Sequence, residues 1–170
     1  MAGGRYVLGV DSSTTATKVV AFDSDGRVAA EAVSTYGYTT RKPGWAEQDP
    51  MRWWNSFCEV CGSVTADLGD PSEIGGLAIT HQRFSFCVVD RDMAPLYPAI
   101  LWNDTRCDRE SEFARSEKDP AHIFSRTGFP PGQWSLYKLL WLRNHEPAVY
   151  DAIHRIVLVP DYLNWRLTGE

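Results

Sequence analysis

A long apolar run and an excess of basic residues are both missing from this sequence. Its 170 residues contain 17 lysines and arginines against 22 aspartates and glutamates, so the formal net charge is −5. Nucleic acids and anionic membrane surfaces bind basic faces, and the acidic balance therefore argues against both kinds of partner. The longest apolar stretches, such as residues 156–159, are only a few residues long, which excludes a membrane-spanning helix.

Cysteine is scarce as well, with four in the chain. Cys58 and Cys61 form a C-x-x-C pair, which is typical of redox centres and of half a zinc site. No second closely spaced pair of cysteines or histidines completes a tetrahedral zinc site. The alternative is a pair of small buried thiols on a helix. No apolar segment of signal-peptide length precedes Asp11, so we expect a cytoplasmic protein without a disulfide framework.

The order of apolar patterns predicts an α/β fold. Residues 6–10, 17–22 and 28–35 are apolar, β-branched runs, and an Asp-Gly pair separates the second from the third. Such a pair between two strands indicates a hairpin, so the three runs predict a β-meander. Helical spacing follows at residues 50–68, 104–116 and 135–144, with strands predicted at 74–80 and 85–90. The chain therefore reads as a meander with helices packed on it later.

The first turn of the meander has residues suited to binding phosphate. Asp11 ends an apolar strand, and a turn of small hydroxyl residues leads to Lys18. Small residues let backbone N–H groups approach a phosphate, and a strand-end carboxylate can hold Mg²⁺ through its water shell. The segment lacks the glycine patterns of the Walker loop and of the dinucleotide fingerprint. A Ser/Thr-rich turn that serves only the hairpin is the alternative.

Two later segments end in polar side chains. The apolar residues before Gln82 and Arg83 predict a strand whose end presents an amide and a guanidinium, both suited to hydroxyl groups. A solvated turn is the alternative there. Trp102 either forms an apolar wall for the carbon atoms of a ligand or packs in the core. Asp104 or Thr105 can cap the helix that follows.

Taken in order, these segments resemble the N-terminal part of the FGGY family of carbohydrate kinases, within the actin-like ATPase superfamily, and they look most like its xylulose-type members. Any one of them is short, and their order and spacing make the resemblance specific. The residues that carry it are 9–15, 43–50, 80–83, 98–104, 138–142, and 161–162 with 167–170.

The resemblance implies a ribonuclease-H-like fold and ATP-dependent phosphorylation of a sugar or polyol hydroxyl. It implies two such domains, with the substrate and the nucleotide meeting in the cleft between them. By motif position, the implied roles are Mg²⁺ for Asp11, ATP phosphates for Thr14, Thr15 and Lys18, substrate hydroxyls for Gln82 and Arg83, the carbon face of the sugar for Trp102, and a helix cap or substrate contact for Asp104.

The resemblance also implies that residues 1–170 are the N-terminal portion of the first domain. In the family, the general base is an aspartate that follows the Leu-Thr-Gly motif, so we expect it beyond Glu170 and expect this chain to be inactive alone. An uncovered sheet face would favour association with a second copy. The alternative is a non-catalytic short form that acts as a sugar-binding, phosphate-binding or oligomerising module.

The identity of the sugar stays open at this point. Phe84 stands where glycerol kinases carry a glutamate, which argues against glycerol. The Trp-Asn-Asp stretch and the Lys-Leu-Leu-Trp stretch look like those of xylulose kinases. The substrate loop, however, does not match the Gln-Met-His that is typical of those enzymes.

Overall fold

The structure, a computed structural model, describes residues 4–170. Residues 1–3, which belong to the N-terminal segment that precedes Asp11, lie outside the described residues. Two compact units divide the chain. Unit 1 contains the described residues up to Tyr38, together with Asp49–Gln82 and Val159–Glu170, and unit 2 contains Thr39–Gln48 and Arg83–Leu158.

Unit 1 is built on the predicted meander. Its four-stranded sheet has the order β3-β2-β1-β5, in which β1 pairs antiparallel with β2 and parallel with β5. Alternate residues of β1 are buried and exposed, as expected of a strand with one covered face. The strands are β1 (Tyr6–Ser12), β2 (Ala16–Phe22), β3 (Val28–Thr35) and β5 (Ile74–His81). The β-meander is therefore confirmed.

Two helices cover unit 1. Helix α1 (Pro50–Leu68) begins where the Asp49 carboxylate accepts a hydrogen bond from the backbone N–H of Met51, and it ends at Gly69, whose φ of 85° suits glycine. Trp53, Phe57, Val60 and Val64 are buried at helical spacing, and α1 packs on β2 and β3. Helix α6 (Val159–Thr168) packs beside α1 and against β5.

Unit 2 has a second sheet, of order β4-β7-β6-β8, whose neighbouring strands are all antiparallel. Its strands are β4 (Glu47–Gln48), β6 (Phe86–Val89), β7 (Ala99–Ile100) and β8 (Arg155–Leu158). Its helices are α2 (Asp108–Glu117), α3 (Pro120–Thr127), α4 (Ser135–His145) and α5 (Pro147–Ala152). Its core joins β6 and β7 to α4 through Phe86, Val88, Ile100, Cys107, Tyr137, Trp141 and Leu142.

One predicted boundary in unit 2 is wrong. The sequence predicts a helix from residue 104, capped by Asp104, whereas α2 begins at Asp108 after Cys107. Residues 101–108 instead form successive turns, in which the Asp104 N–H donates to the Leu101 carbonyl and the Asp108 N–H to the Thr105 carbonyl. The Asp104 carboxylate is buried and binds other groups, so it is not available to cap the helix. Within residues 4–170, no helix combines the length and the apolar character needed to cross a membrane.

Candidate functional site

The β1–β2 hairpin places Asp11 and Lys18 side by side. The two residues are direct cross-strand partners, so their side chains share one face of the sheet, and both are exposed. Asp11 is also level with Thr80 of β5. Lys18 does not stand alone, because its Nζ lies 2.7 Å from Oε2 of Glu31 in an exposed ion pair. An exposed pair of this kind is weak enough for another anion to replace Glu31.

The turn between these strands is fixed from inside the unit. The Ser13 hydroxyl donates to the Ala16 carbonyl at 2.9 Å, which closes the turn. The Tyr36 hydroxyl lies within hydrogen-bond distance of the Ser13 and Ala16 carbonyls, and the Gln82 side-chain amide donates to the Ser13 carbonyl at 3.3 Å. Thr15 is exposed and Thr14 is half-buried. The hydroxyls of Thr14 and Thr15, which are predicted to bind phosphate, therefore lie on a turn whose backbone is fixed by hydrogen bonds from Tyr36 and Gln82.

Gln82 was expected to contact the substrate, and the structure gives it a second role. Its side chain is 8% exposed, and its backbone N–H donates to the Ser12 carbonyl at 3.0 Å. Gln82 thus connects the end of β5 to the turn between β1 and β2. Arg83, the next residue, is exposed and belongs to unit 2. The structure brings Asp11, Thr14, Thr15, Lys18 and Gln82 together in unit 1.

Asp104 differs most from its expected role. It is completely buried, and its carboxylate accepts hydrogen bonds from the Ala46 N–H at 2.6 Å and from Arg106 Nε at 2.9 Å and an Arg106 terminal nitrogen at 2.7 Å. Arg106 also donates to Glu47 at 2.9 Å and lies 3.9 Å over the Trp45 ring. A carboxylate so enclosed faces protein rather than solvent, so Asp104 orders the loop instead of presenting itself to a ligand.

This buried network explains why two motifs occur together in the sequence. Residues 43–50 supply Trp45 and Glu47, and residues 98–104 supply Asp104, all gathered around Arg106. Gly44 has a φ of 79°, and a Cβ there would lie 2.3 Å from Oγ1 of Thr105, so the turn requires glycine. Burial disfavours the charge of Arg106, but its bonds to Asp104 and Glu47 outweigh burial, and the guanidinium pKa is raised.

Trp102 lies at the edge of a cavity of about 620 Å³ in unit 2. The ring is 51% exposed, and Trp134 provides a second aromatic wall. The polar side chains that line the cavity are Asn103, Asp108, Ser111, Glu112, Arg115 and Gln133. Aromatic walls with a few placed polar groups are the usual composition of a small-molecule site.

Two buried oxygen atoms of this cavity lack partners among the described residues. They are Oδ1 of Asn103 and Oγ of Ser111, whose residue is 4% exposed. A buried polar atom without a hydrogen bond is costly, which suits it to a ligand hydroxyl. Neither residue was predicted from the sequence to be a site residue. Asn103 was quoted only as part of the Trp-Asn-Asp motif, and no local pattern identifies Ser111, because it reaches the cavity from helix α2.

The cysteine pair on α1 shows no sign of special chemistry. Cys58 is exposed, which differs from the burial that we expected, and Cys61 is half-buried. Burial raises the pKa of both thiols, that of Cys61 to about 11, so little thiolate forms near neutral pH. Within residues 4–170, no group of three or more histidine, cysteine, aspartate or glutamate side chains could hold a metal ion.

The α/β fold and the order of these segments indicate the class of protein to which this chain belongs. The model of the "FGGY family of carbohydrate kinases, N-terminal domain" matches residues 6–170, and the chain belongs to this family. The xylulose kinase of Escherichia coli is 31% identical over 163 residues, which are 96% of this chain and 33% of that enzyme. The chain therefore spans about a third of the length of the relatives that it matches.

Solved structures agree with this assignment. A xylulose kinase from Rhodospirillum rubrum superposes with a TM-score of 0.93 at 34% identity, over 98% of this chain and 34% of that one. A glycerol kinase from Plasmodium falciparum, solved with ADP, gives a TM-score of 0.87 at 25% identity, over 98% and 35% of the two chains. The expected fold, that of the first part of an actin-like ATPase, is confirmed.

Proposed function

We propose that these residues form the N-terminal part of an enzyme that transfers phosphate from ATP to a hydroxyl of a ketose or polyol. The cavity beside Trp102 carries the proposal, because an exposed aromatic ring there adjoins buried oxygen atoms that lack partners. C–H groups of a sugar pack on aromatic faces, while its hydroxyls satisfy such oxygens. Membership of a carbohydrate kinase family supports the same substrate class.

The phosphate side of the reaction is proposed for the β1–β2 hairpin. Asp11, exposed at the end of β1, offers a hard oxygen ligand of the kind that Mg²⁺ binds through water while keeping phosphate oxygens as its other partners. Magnesium would neutralise charge on the transferring phosphate. Thr14 and Thr15 would donate hydroxyls to the phosphates, and Lys18 would exchange Glu31 for them. The ADP in the glycerol kinase structure supports this nucleotide.

In unit 2, the contacts to the sugar are proposed for Arg83 and Trp102, with Asn103 and Ser111 added from the cavity. In unit 1, Gln82 is likewise proposed as a substrate contact. Asp104 is proposed to act through the loop that it orders. Because the chain spans a third of its relatives, we propose that it contributes one part of a two-domain kinase and does not phosphorylate sugars alone. The cytoplasmic location and the association with a second copy stay predictions from the sequence.

The magnesium role is tested with Asp11→Asn in the natural full-length protein. We expect kcat with a ketopentose to fall at least about 100-fold, because the variant loses the carboxylate charge but keeps its shape. The matched control is Asp67→Asn, which removes the same charge from an exposed position on α1 and should leave kcat unchanged. Normal activity of Asp11→Asn would reject the role, and a wild-type protein that phosphorylates no sugar or polyol would reject the function.

A further inference from the structure

Helix α4 holds the two turns of unit 2 that carry Arg83 and Trp102, both proposed to bind the sugar. The Ser135 hydroxyl donates to the Phe84 carbonyl at 2.9 Å. One turn further along the helix, Lys138 Nζ donates to the Leu101 carbonyl at 2.6 Å and to the Trp102 carbonyl at 2.9 Å. Two side chains on one face of the helix thus bind the backbone of two separate turns, at Phe84 and at Trp102.

The turn at Phe84 needs such support. Phe84 has a φ of 63°, the left-handed conformation that a bulky residue adopts only when its surroundings enforce it. The Ser135 bond falls on the carbonyl of this same residue. The next residue, Ser85, accepts a hydrogen bond from the Trp102 N–H at 3.0 Å, so the two turns are also joined to each other.

The Trp102 turn depends on Lys138 in a similar way. Half of the Trp102 side chain is exposed, so packing against the core fixes it only in part. Lys138 is completely buried, and burying an ammonium group is costly unless its bonds repay the loss of water. An aliphatic residue would fill the same space without that cost. The lysine is therefore in place for the two carbonyls that it binds.

Charged groups around Lys138 do not remove the cost. Burial lowers the pKa of Lys138 to about 8, although Cys107 and Asp104 favour the charged form, and Arg106 works with burial against it. The ammonium form therefore prevails at neutral pH and is lost as the pH rises through about 8. A neutral amine donates weaker hydrogen bonds than an ammonium group does.

We propose that Ser135 and Lys138 are positioning residues that hold the Trp102 ring and the Asn103 amide in place along the lining of the cavity, and so determine the affinity for the sugar. Neither side chain needs to touch the sugar, because each acts on the backbone of the turns that do. This inference rests on the proposed function, since it assumes that the cavity receives the sugar.

The test uses the natural full-length protein and two variants, Lys138→Met and Ser135→Ala. We expect the KM for the sugar to rise about tenfold in Lys138→Met and by a smaller factor in Ser135→Ala, with the KM for ATP unchanged. Lys118→Met and Ser116→Ala are the controls, because Lys118 is exposed and the Ser116 hydroxyl bonds its own helix at the Phe113 carbonyl. Both controls should keep the wild-type KM.

Two further readouts separate positioning from general stability. In the wild type, the KM for the sugar should rise as the pH passes through about 8, and in Lys138→Met it should not. In the 6-fluorotryptophan-labelled protein, the ¹⁹F resonance of Trp102, assigned with Trp102→Phe, should shift or broaden in Ser135→Ala and stay unchanged in Ser116→Ala. The second readout needs no catalysis and remains available if Lys138→Met fails to fold.

An unchanged sugar KM and an unchanged Trp102 resonance in Ser135→Ala would overturn the inference, even with a fully active wild type. A wild type that phosphorylates no sugar or polyol would overturn the proposed function instead. In that case, a moved Trp102 resonance would still show that α4 positions the ring.

Discussion

The two units of this chain bury polar groups of different kinds. Unit 1 buries neutral hydroxyls, in which Oγ1 of Thr17 lies 2.9 Å from Oγ of Ser56 and 3.2 Å from the Tyr36 hydroxyl. Unit 2 buries charges, namely Arg106 with Asp104 and Glu47, and Lys138 against backbone carbonyls. Both networks lie under the turns proposed to bind ligands.

The difference has a physical reason. A hydroxyl loses little on burial once it is bonded, so it can pin a short hairpin whose strands already supply most of the backbone bonds. The strands of unit 2 that adjoin these turns have two to four residues, and they supply few such bonds. A guanidinium or an ammonium group bridges several acceptors at once, and this strength offsets its high cost of burial. Charge is buried where the backbone has least regular structure.

The largest effect on this comparison should come from Arg106→Met. The substitution leaves the Asp104 carboxylate buried without its cation and leaves Glu47 with only the exposed Arg41, and we expect it to lower the free energy of unfolding by about 3–5 kcal/mol. Urea unfolding followed by tryptophan fluorescence and by circular dichroism measures the loss, and agreement of the two probes tests whether the transition is two-state.

Arg27→Met is the control for this loss. Arg27 pairs with Asp25 in unit 1, but its side chain is 74% exposed, and the substitution should cost under about 1 kcal/mol. Equal losses in the two variants would show that the buried charges of unit 2 contribute no more than surface ions do.

A smaller effect is expected from Tyr36→Phe in unit 1. The tyrosine is 8% exposed, and its hydroxyl bonds the turn at the Ser13 and Ala16 carbonyls. Removing one buried hydroxyl should lower the free energy of unfolding by about 1–2 kcal/mol. Tyr38→Phe, at a side chain that is 43% exposed, should have almost no effect in the same unfolding experiment. A Tyr36→Phe protein as stable as the wild type would refute the role of the hydroxyl network.

The difference in regular structure between the two units also determines what could be predicted from the sequence. Burial alternates along β1, β2 and most of β3, and α1 buries residues at helical spacing, so the sequence predicted the bounds of β3 and α1 without error. The pairing of Asp11 with Lys18 was not predicted, because the sequence analysis placed Asp11 in the turn, whereas β1 continues to Ser12.

Unit 2 could not be predicted in the same way. Strand β4 has two residues, too few to show a period, and was missed. The predicted start of α2 was wrong because aspartate is a residue type that often caps helices. The partners of Asp104, which are Ala46 and Arg106, become known only in the folded chain. Ser111 and Lys138 were missed as site residues for the same reason, since helical periodicity says nothing about which loops a helix side chain will meet.

The smallest expected effect is on the pH dependence of the free energy of unfolding. It arises from a buried charge of unit 2, and the neutral hydroxyls buried in unit 1 have no such effect. Unfolded Lys138 has a pKa near 10.5, against about 8 in the folded chain, so above pH 8 the unfolded state holds a proton that the native state has lost. Stability rises with pH wherever the unfolded state binds more protons. From about pH 7.5 to about pH 9, the free energy of unfolding of the wild type should therefore rise by about 1 kcal/mol relative to Lys138→Met.

The thiols of Cys61 and Cys107 limit the pH range of this measurement, because their contribution to stability changes with pH in the opposite direction. Burial raises the pKa of Cys61 and Cys107 from 9.0 to about 11, so the native state keeps protons that the unfolded state loses above pH 9. Their contribution falls with rising pH there, and measurements should stop near pH 9 to isolate the lysine. If the free energy of unfolding changed with pH in the same way in the wild type and in Lys138→Met, the pKa of Lys138 would be the same in the folded and the unfolded chain. Burial of the ammonium group would then carry no cost.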